Sequence, residues 1–300
     1  MRRRIDKAHL IGIILSLIVS FTLIQEGSAE QAKNFLWSVR SKTTTVYILG
    51  SVHFLKEESY PLNPVIETAF NKSSILVVEA NVNDPGKADI QNLLSRAVYA
   101  GDETLDKRIS PETYRYTQKE AERIGLPVEL IQKQKPWYLA LTFEALELMR
   151  LGFDPKFGVD VRFLSKAQAS NKKIAELESL NEQINLLSGF TDSDQELLLL
   201  YTLKNLNVVS REIGRIVKSW TAGDERGVES VLTESVREEP RLAPMIKKLI
   251  DDRNIGMVSK IEGYLKTGQT YFVVVGAGHV VGNKGIVNML KEKGYLVQQL

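Results

Sequence analysis

"TYFVVVGAGHVVGNKG", spanning Thr270–Gly285, decides how the fold is read. An unbroken apolar run leads into Gly276, His279 follows three residues later, and more glycine comes behind it. A short β-branched run bounded by glycine predicts a buried strand, here Tyr271–Val275. Upstream, "TVYILGSVHFL" (Thr45–Leu55) has the same form, with Gly50 closing the run and His53 three residues on. The chain holds only three histidines. The third, His9, falls in a segment read below as a removable leader.

Two further runs complete a sheet pattern. Residues 46–50 (VYILG) and 74–79 (SILVVE) read as buried strands, and residues 63–71 between them as a helix with Pro64 in its first turn. Strand, helix and strand in so short a span suggest a right-handed βαβ unit in a parallel sheet. A largely helical stretch follows from about Asp89 to Ala169, including Pro111–Ile124 and Trp137–Leu151. Residues 173–178 (KIAELE) suit a third strand or a short helix equally. From Asp192, "DQELLLLYTLKNLNVVSREIGRIVKSW" keeps helical spacing, interrupted only at Gly214 and closed at Gly223. More helix is expected to about Leu265, then the 271–275 strand, a helix near 284–293 and a last apolar run at 295–297. No linker, repeat or low-complexity tract divides the chain. The expectation is one α/β domain over residues 30–300, with a parallel-type central sheet and large helical insertions.

Composition narrows the chemistry. An apolar share of 43% with 25% charged residues is ordinary for a globular chain. The net charge of +2 comes from residues 1–29, where Arg2, Arg3, Arg4 and Lys7 outnumber Asp6 and Glu26. Without them the balance is zero, so no basic excess points to nucleic acid. A basic start, an apolar Leu10–Ile24 and small residues at Gly27 and Ala29 form a secretory leader, cleaved after Ala29. The apolar part is short for a membrane span of ~20 residues, so the expected product is periplasmic or secreted with no stable span. There is no cysteine, which excludes disulfides, thiol catalysis and thiolate metal sites.

The Gly276–Gly282 region invites a dinucleotide-binding reading, but that fingerprint needs an acidic residue about 20 positions further on, and the chain offers none there. A satisfied turn histidine is the plain alternative for either imidazole alone. Two in equivalent places favour convergence, because the C-terminal ends of parallel strands form the ligand crevice of such sheets. Glu79 closes "ILVVE" in the same manner. His53, Glu79 and His279 are therefore the candidate metal and catalytic residues, a two-histidine, one-carboxylate set that suits zinc, manganese or cobalt. Glu79 serves in it as ligand or as general base. Asp160, Glu178 and Arg253 are candidate supporting groups. A crevice imidazole is expected to add little to the core, so His279 should be removable without loss of the fold.

These residues carry a resemblance. "GSVH" and "GAGH", each after an apolar strand, resemble the paired GxxH motifs of the TraB/GumN family, which includes the TIKI proteins. "VVEAN" at Glu79, "FGVDVRFLSKA" (Phe157–Ala167), "LESLNEQINLL" (Leu177–Leu187), Arg253 with Asn254, and "VGAGHVVGNKGIVNMLKEKGYLV" (Val275–Val297) follow in the family's order. The resemblance implies a fold like the erythromycin esterase-like and ChaN-like group. It also implies, from the TIKI branch, a metal-dependent protease supported by manganese or cobalt that cuts the amino-terminal part of Wnt proteins. The leading expectation is an exported, peptidase-like, metal-dependent hydrolase acting on a peptide or small-molecule substrate. The alternatives are a non-catalytic metal- or haem-binding protein of the same fold, and a scaffold without activity.

Overall fold

Six strands form one mixed sheet in a computed structural model that describes residues 33–300. They are β1 (Leu36–Arg40), β2 (Thr45–Ser51), β3 (Ile75–Val78), β4 (Lys173–Glu176), β5 (Tyr271–Gly276) and β6 (Leu296–Gln299), in the spatial order β4-β3-β5-β2-β1-β6. The expected leader, residues 1–29, lies outside the described residues. Strands β4, β3, β5 and β2 run parallel. Strand β1 pairs antiparallel with both β2 and β6, which makes the sheet mixed rather than wholly parallel. The reason is local: β1 and β2 are joined by a tight turn at Ser41–Thr44, and a hairpin can only be antiparallel.

The βαβ unit is present with one change. β2 and β3 are parallel, but β5, from the far end of the sequence, slots between them. Every residue of β3 and β5 is buried, because helices cover both faces of the sheet there. The Pro64–Lys72 helix starts where Asn63 Oδ1 accepts from the Val65 N–H at 2.9 Å. It buries Ile66, Ala69 and Phe70, and the Phe70 ring packs on Phe163 and Phe272 at 5.0 and 5.6 Å. Residues 173–176 settle as strand rather than helix because pairing with β3 satisfies their backbone.

Helices Pro111–Ile124, Pro136–Arg150 and Asp192–Asn205 build a second apolar core around Leu105, Phe143, Leu199 and Leu203. The long helical stretch breaks after Asn205, not at Gly214, and resumes as Val209–Thr221. Asn205 begins the break by turning its amide back onto the Tyr201 carbonyl at 3.0 Å. Gly223 does end the second helix, with φ +66° and the Lys33 carbonyl so close that a Cβ would lie 2.5 Å from it. That helix delivers Trp220, whose indole N–H donates to the Gly50 carbonyl at 2.6 Å. Gly50 itself is packed beneath Phe35 and Val280, with no room for a side chain. Among the described residues no helix is long and apolar enough to cross a membrane.

Candidate metal centre

The parallel register of β2, β5 and β3 brings their C-terminal ends to one edge, since Ser51 lies opposite Gly276 and Val78 opposite Val274. His53, Glu79 and His279 all leave the sheet there. Their meeting point is defined by Gly276. A Cβ on that glycine would lie 3.3 Å from Glu79 Oε1, 3.5 Å from His53 Nε2 and 3.7 Å from His279 Cδ2. Three donor-bearing side chains thus surround the space that this residue's missing side chain leaves open.

Each is held by a different device. The Glu79 carboxylate accepts from the Gly276 N–H at 2.6 Å, from Arg253 Nη2 at 2.5 Å and from Gln183 Nε2 at 3.3 Å. Arg253 is shared with Glu178, so two carboxylates flank one guanidinium. His279 Nδ1 lies 2.7 Å from Asn254 Oδ1, while the Asn254 amide donates to the Lys284 carbonyl at 2.8 Å. That leaves the oxygen to accept, so the His279 Nδ1–H donates and its Nε2 lone pair faces Glu79 Oε1 at 3.8 Å. His53 Nδ1 pairs with Asp160 Oδ2 at 3.2 Å, turning Nε2 toward the same space. Asp160 is carried there by the Val159–Ala169 helix, whose first N–H donates to the Val52 carbonyl at 3.1 Å. Gly158 permits that approach, because a Cβ on it would lie 2.4 Å from the His53 carbonyl oxygen.

The electrostatics separate the two imidazoles. Burial pushes the His279 pKa below its ordinary value, only partly offset by Glu79. For His53, crowding by the crevice walls lowers the pKa, but the Asp160 hydrogen bond and the charges of Asp160 and Glu79 outweigh it and raise it to about 9. Burial also pushes Glu79 up, yet the charges of His279, Arg253 and His53 and the Gly276 N–H together hold it at about 2. Substituting Asp160 by alanine should therefore lower the His53 midpoint by about a unit or more in metal-free protein, as read by NMR titration of its ring. An unmoved midpoint would show that Asp160 does not govern it.

A divalent ion needs donors at ~2.0–2.2 Å, which sets tetrahedral ligands about 3.4 Å apart. Among the described residues, no three His, Asp or Glu side chains stand ready-made as such a cage. The 3.8 Å between His279 Nε2 and Glu79 Oε1 is a few tenths wide, because Arg253 and Gln183 draw the carboxylate to their side. The residues nevertheless fit an ion in kind: the His279 Nε2 lone pair, a carboxylate and His53 Nε2, which would yield its proton to the ion, stand around one cradle, with both imidazoles oriented through their second nitrogen as metal-binding histidines are.

The three groups singled out as supports, Asp160, Glu178 and Arg253, all lie at this site. Gln183 and Asn254 complete it. Neither amide carries a sequence signal of its own, and Asn254 stands out only as the neighbour of Arg253. One expectation is corrected: His279 is 3% exposed and hydrogen-bonded to a fully buried Asn254, so it belongs to the core as well as to the crevice. The α-turn Ala277–Val280 tucks its ring beneath the sheet edge, whereas His53, with 58% of its side chain exposed, forms the open side.

The TraB/PrgY/gumN family model matches residues 35–299. The chain belongs to that family. YbaP of Escherichia coli (strain K12), an uncharacterised protein, is 24% identical over 82% of this chain and 87% of its own length. Metalloprotease TIKI1 of Xenopus tropicalis is 21% identical over 89% of this chain, and metalloprotease TIKI2 of Danio rerio 20% identical over 90%. The chain spans only 61% and 62% of those two proteins. No solved structure matches.

Proposed function

We propose that this TraB/PrgY/gumN family member is an exported metal-dependent hydrolase, peptidase-like in its chemistry, with His53, Glu79 and His279 as the ligands. The convergence of these three groups on the cradle at Gly276 carries the reading. The likeness to relatives named metalloproteases supports it. When bound, a divalent ion among nitrogen and oxygen donors supplies Lewis acidity toward a carbonyl and a more acidic water. Zinc, manganese and cobalt all suit that donor set.

The chain's own residues have separable tasks. Asn254 and Asp160 fix the two imidazoles, and Arg253 with Gln183 fixes the carboxylate. Arg253 and the Gly276 N–H hold the Glu79 carboxylate in a fixed orientation beside both imidazoles, and Glu79 takes the part of a ligand in this reading. The net reaction breaks an amide C–N bond, with the water oxygen passing to the acyl carbon and a water proton to the leaving amine. The open side beside His53 is the route for substrate, a peptide or a small amide. The same reading includes a leader removed after Ala29, a single domain over residues 30–300, a fold akin to the erythromycin esterase-like and ChaN-like group, and neither nucleic-acid partner nor stable membrane span.

A peptide-library cleavage screen on the mature protein, with manganese, cobalt and zinc in turn, tests the function. Cleavage that needs one of these ions is expected, and a chelator should abolish it. A protein that takes up the ion at these residues but cleaves nothing would be a non-catalytic binder instead. Intact-mass measurement of the exported protein should find a chain beginning at Glu30.

A further inference from the structure

We propose that the hollow between the Leu180–Ser188 and Asp252–Tyr264 helices takes the large apolar side chain next to the bond that is cleaved; this rests on the hydrolase reading above. The hollow, about 390 Å³, shares Glu178, Gln183 and Arg253 with the candidate centre. The last two hold Glu79 directly, so the hollow begins one side chain away from that carboxylate. A substrate chain lying across the cradle at Gly276 would have a neighbouring side chain over this opening.

The lining sets the class of side chain. Leu177, Leu186 and Met257 make an apolar floor. Of the charged groups around it, Lys248 is exposed and lies over the Phe190 ring at 5.8 Å, and the others are paired within the protein. Arg253 lies between two carboxylates, Lys260 donates to the Leu177 carbonyl at 2.5 Å, Asp252 pairs with Lys247, and Glu182 caps its own helix through Ser179. Away from Lys248, a charged substrate group would have to displace one of these pairs, whereas an uncharged apolar one on the floor needs only to bury surface.

Gly256 adds an independent observation. It lies inside the Asp252–Tyr264 helix, where glycine is less favourable than alanine, and its φ is not positive. A Cβ there would meet nothing within 4 Å. Neither the backbone nor packing requires a glycine at this position. Gly214 and Gly263 are equally open within their helices, but only Gly256 of the three lines this hollow. A side chain at 256 would project into the space the substrate is proposed to use.

The test compares Gly256→Ala and Gly256→Trp in the mature chain, loaded with whichever ion supports wild-type cleavage. Readouts are metal content, melting temperature and kcat/KM on peptides that differ only beside the scissile bond. Gly256→Ala, which adds one methyl to the hollow, should weaken the same large side chains by less than Gly256→Trp does. Gly256→Trp should lose at least about tenfold on peptides with leucine, methionine or phenylalanine there, and keep its rate on those with glycine or alanine. Metal content should stay unchanged in both. Leu186→Trp fills the hollow from the opposite helix and should give the same selective loss, which covers a failure of the first variant to fold. A filled hollow with an unchanged substrate profile overturns the subsite alone. Wild-type protein that neither binds metal nor cleaves overturns the hydrolase reading, and the subsite with it.

Discussion

Replacing Gly276 by alanine will remove metal binding and activity while leaving the protein folded. The added methyl would stand 3.3–3.7 Å from Glu79, His53 and His279, in the space those groups surround. The Glu79 contact is slightly tight and the others are ordinary, so the apo protein pays little. Gly276 has φ −51°, which alanine adopts freely, and its N–H can still donate to Glu79. An ion must approach its donors to ~2.0–2.2 Å, and a methyl among them forces the ligands apart. A displacement of about 1 Å at a catalytic constellation costs on the order of 10²-fold in rate. Metal content and cleavage rate, measured beside the melting curve, check this. Full metal content in the variant would place the ion elsewhere.

His279→Ala will lose both metal and stability. The loss of a ligand leaves two donors, too few to hold a divalent ion tightly. The stability cost arises because the ring is buried and Asn254 Oδ1 is left without its donor. An unsatisfied buried acceptor costs about 1–3 kcal/mol, before any contribution from the cavity. At about 2–4 °C per kcal/mol, the melting temperature should fall by several degrees. His279→Gln separates the two effects, since its amide can donate to Asn254. It should recover part of the melting temperature and none of the metal. A variant that binds metal as wild type does would exclude His279 as a ligand.

The parts of this fold that the sequence displays are those with short-range causes. Apolar runs ending in glycine mark β2 and β5 because buried parallel strands are apolar on both faces, and the residues just beyond them necessarily reach the crevice edge. Strand β1 has no such mark. Leu36–Arg40 is short, and its pairing depends on β2 and on β6 near the other end of the chain. The insertion of β5 between β2 and β3 is likewise a long-range choice that no local pattern encodes. At the site, Asp160, Glu178 and Arg253 look like ordinary surface charges along the chain, and only the packing of their elements gives them partners. Burial of His279 is invisible for the same reason: glycines around it suggest an open turn, while Asn254, which holds the ring, lies 25 residues away in sequence.

In the proposed mechanism one ion is shared by His53, Glu79 and His279. Crystals of the mature protein grown with manganese, cobalt or zinc, and measured at the absorption edge of each metal, test it most directly. One anomalous peak per chain is expected beside Gly276, about 2.0–2.2 Å from His53 Nε2, His279 Nε2 and a Glu79 oxygen. Clear density for all three side chains with no peak among them at saturating metal, or a peak bound to other residues, would contradict it.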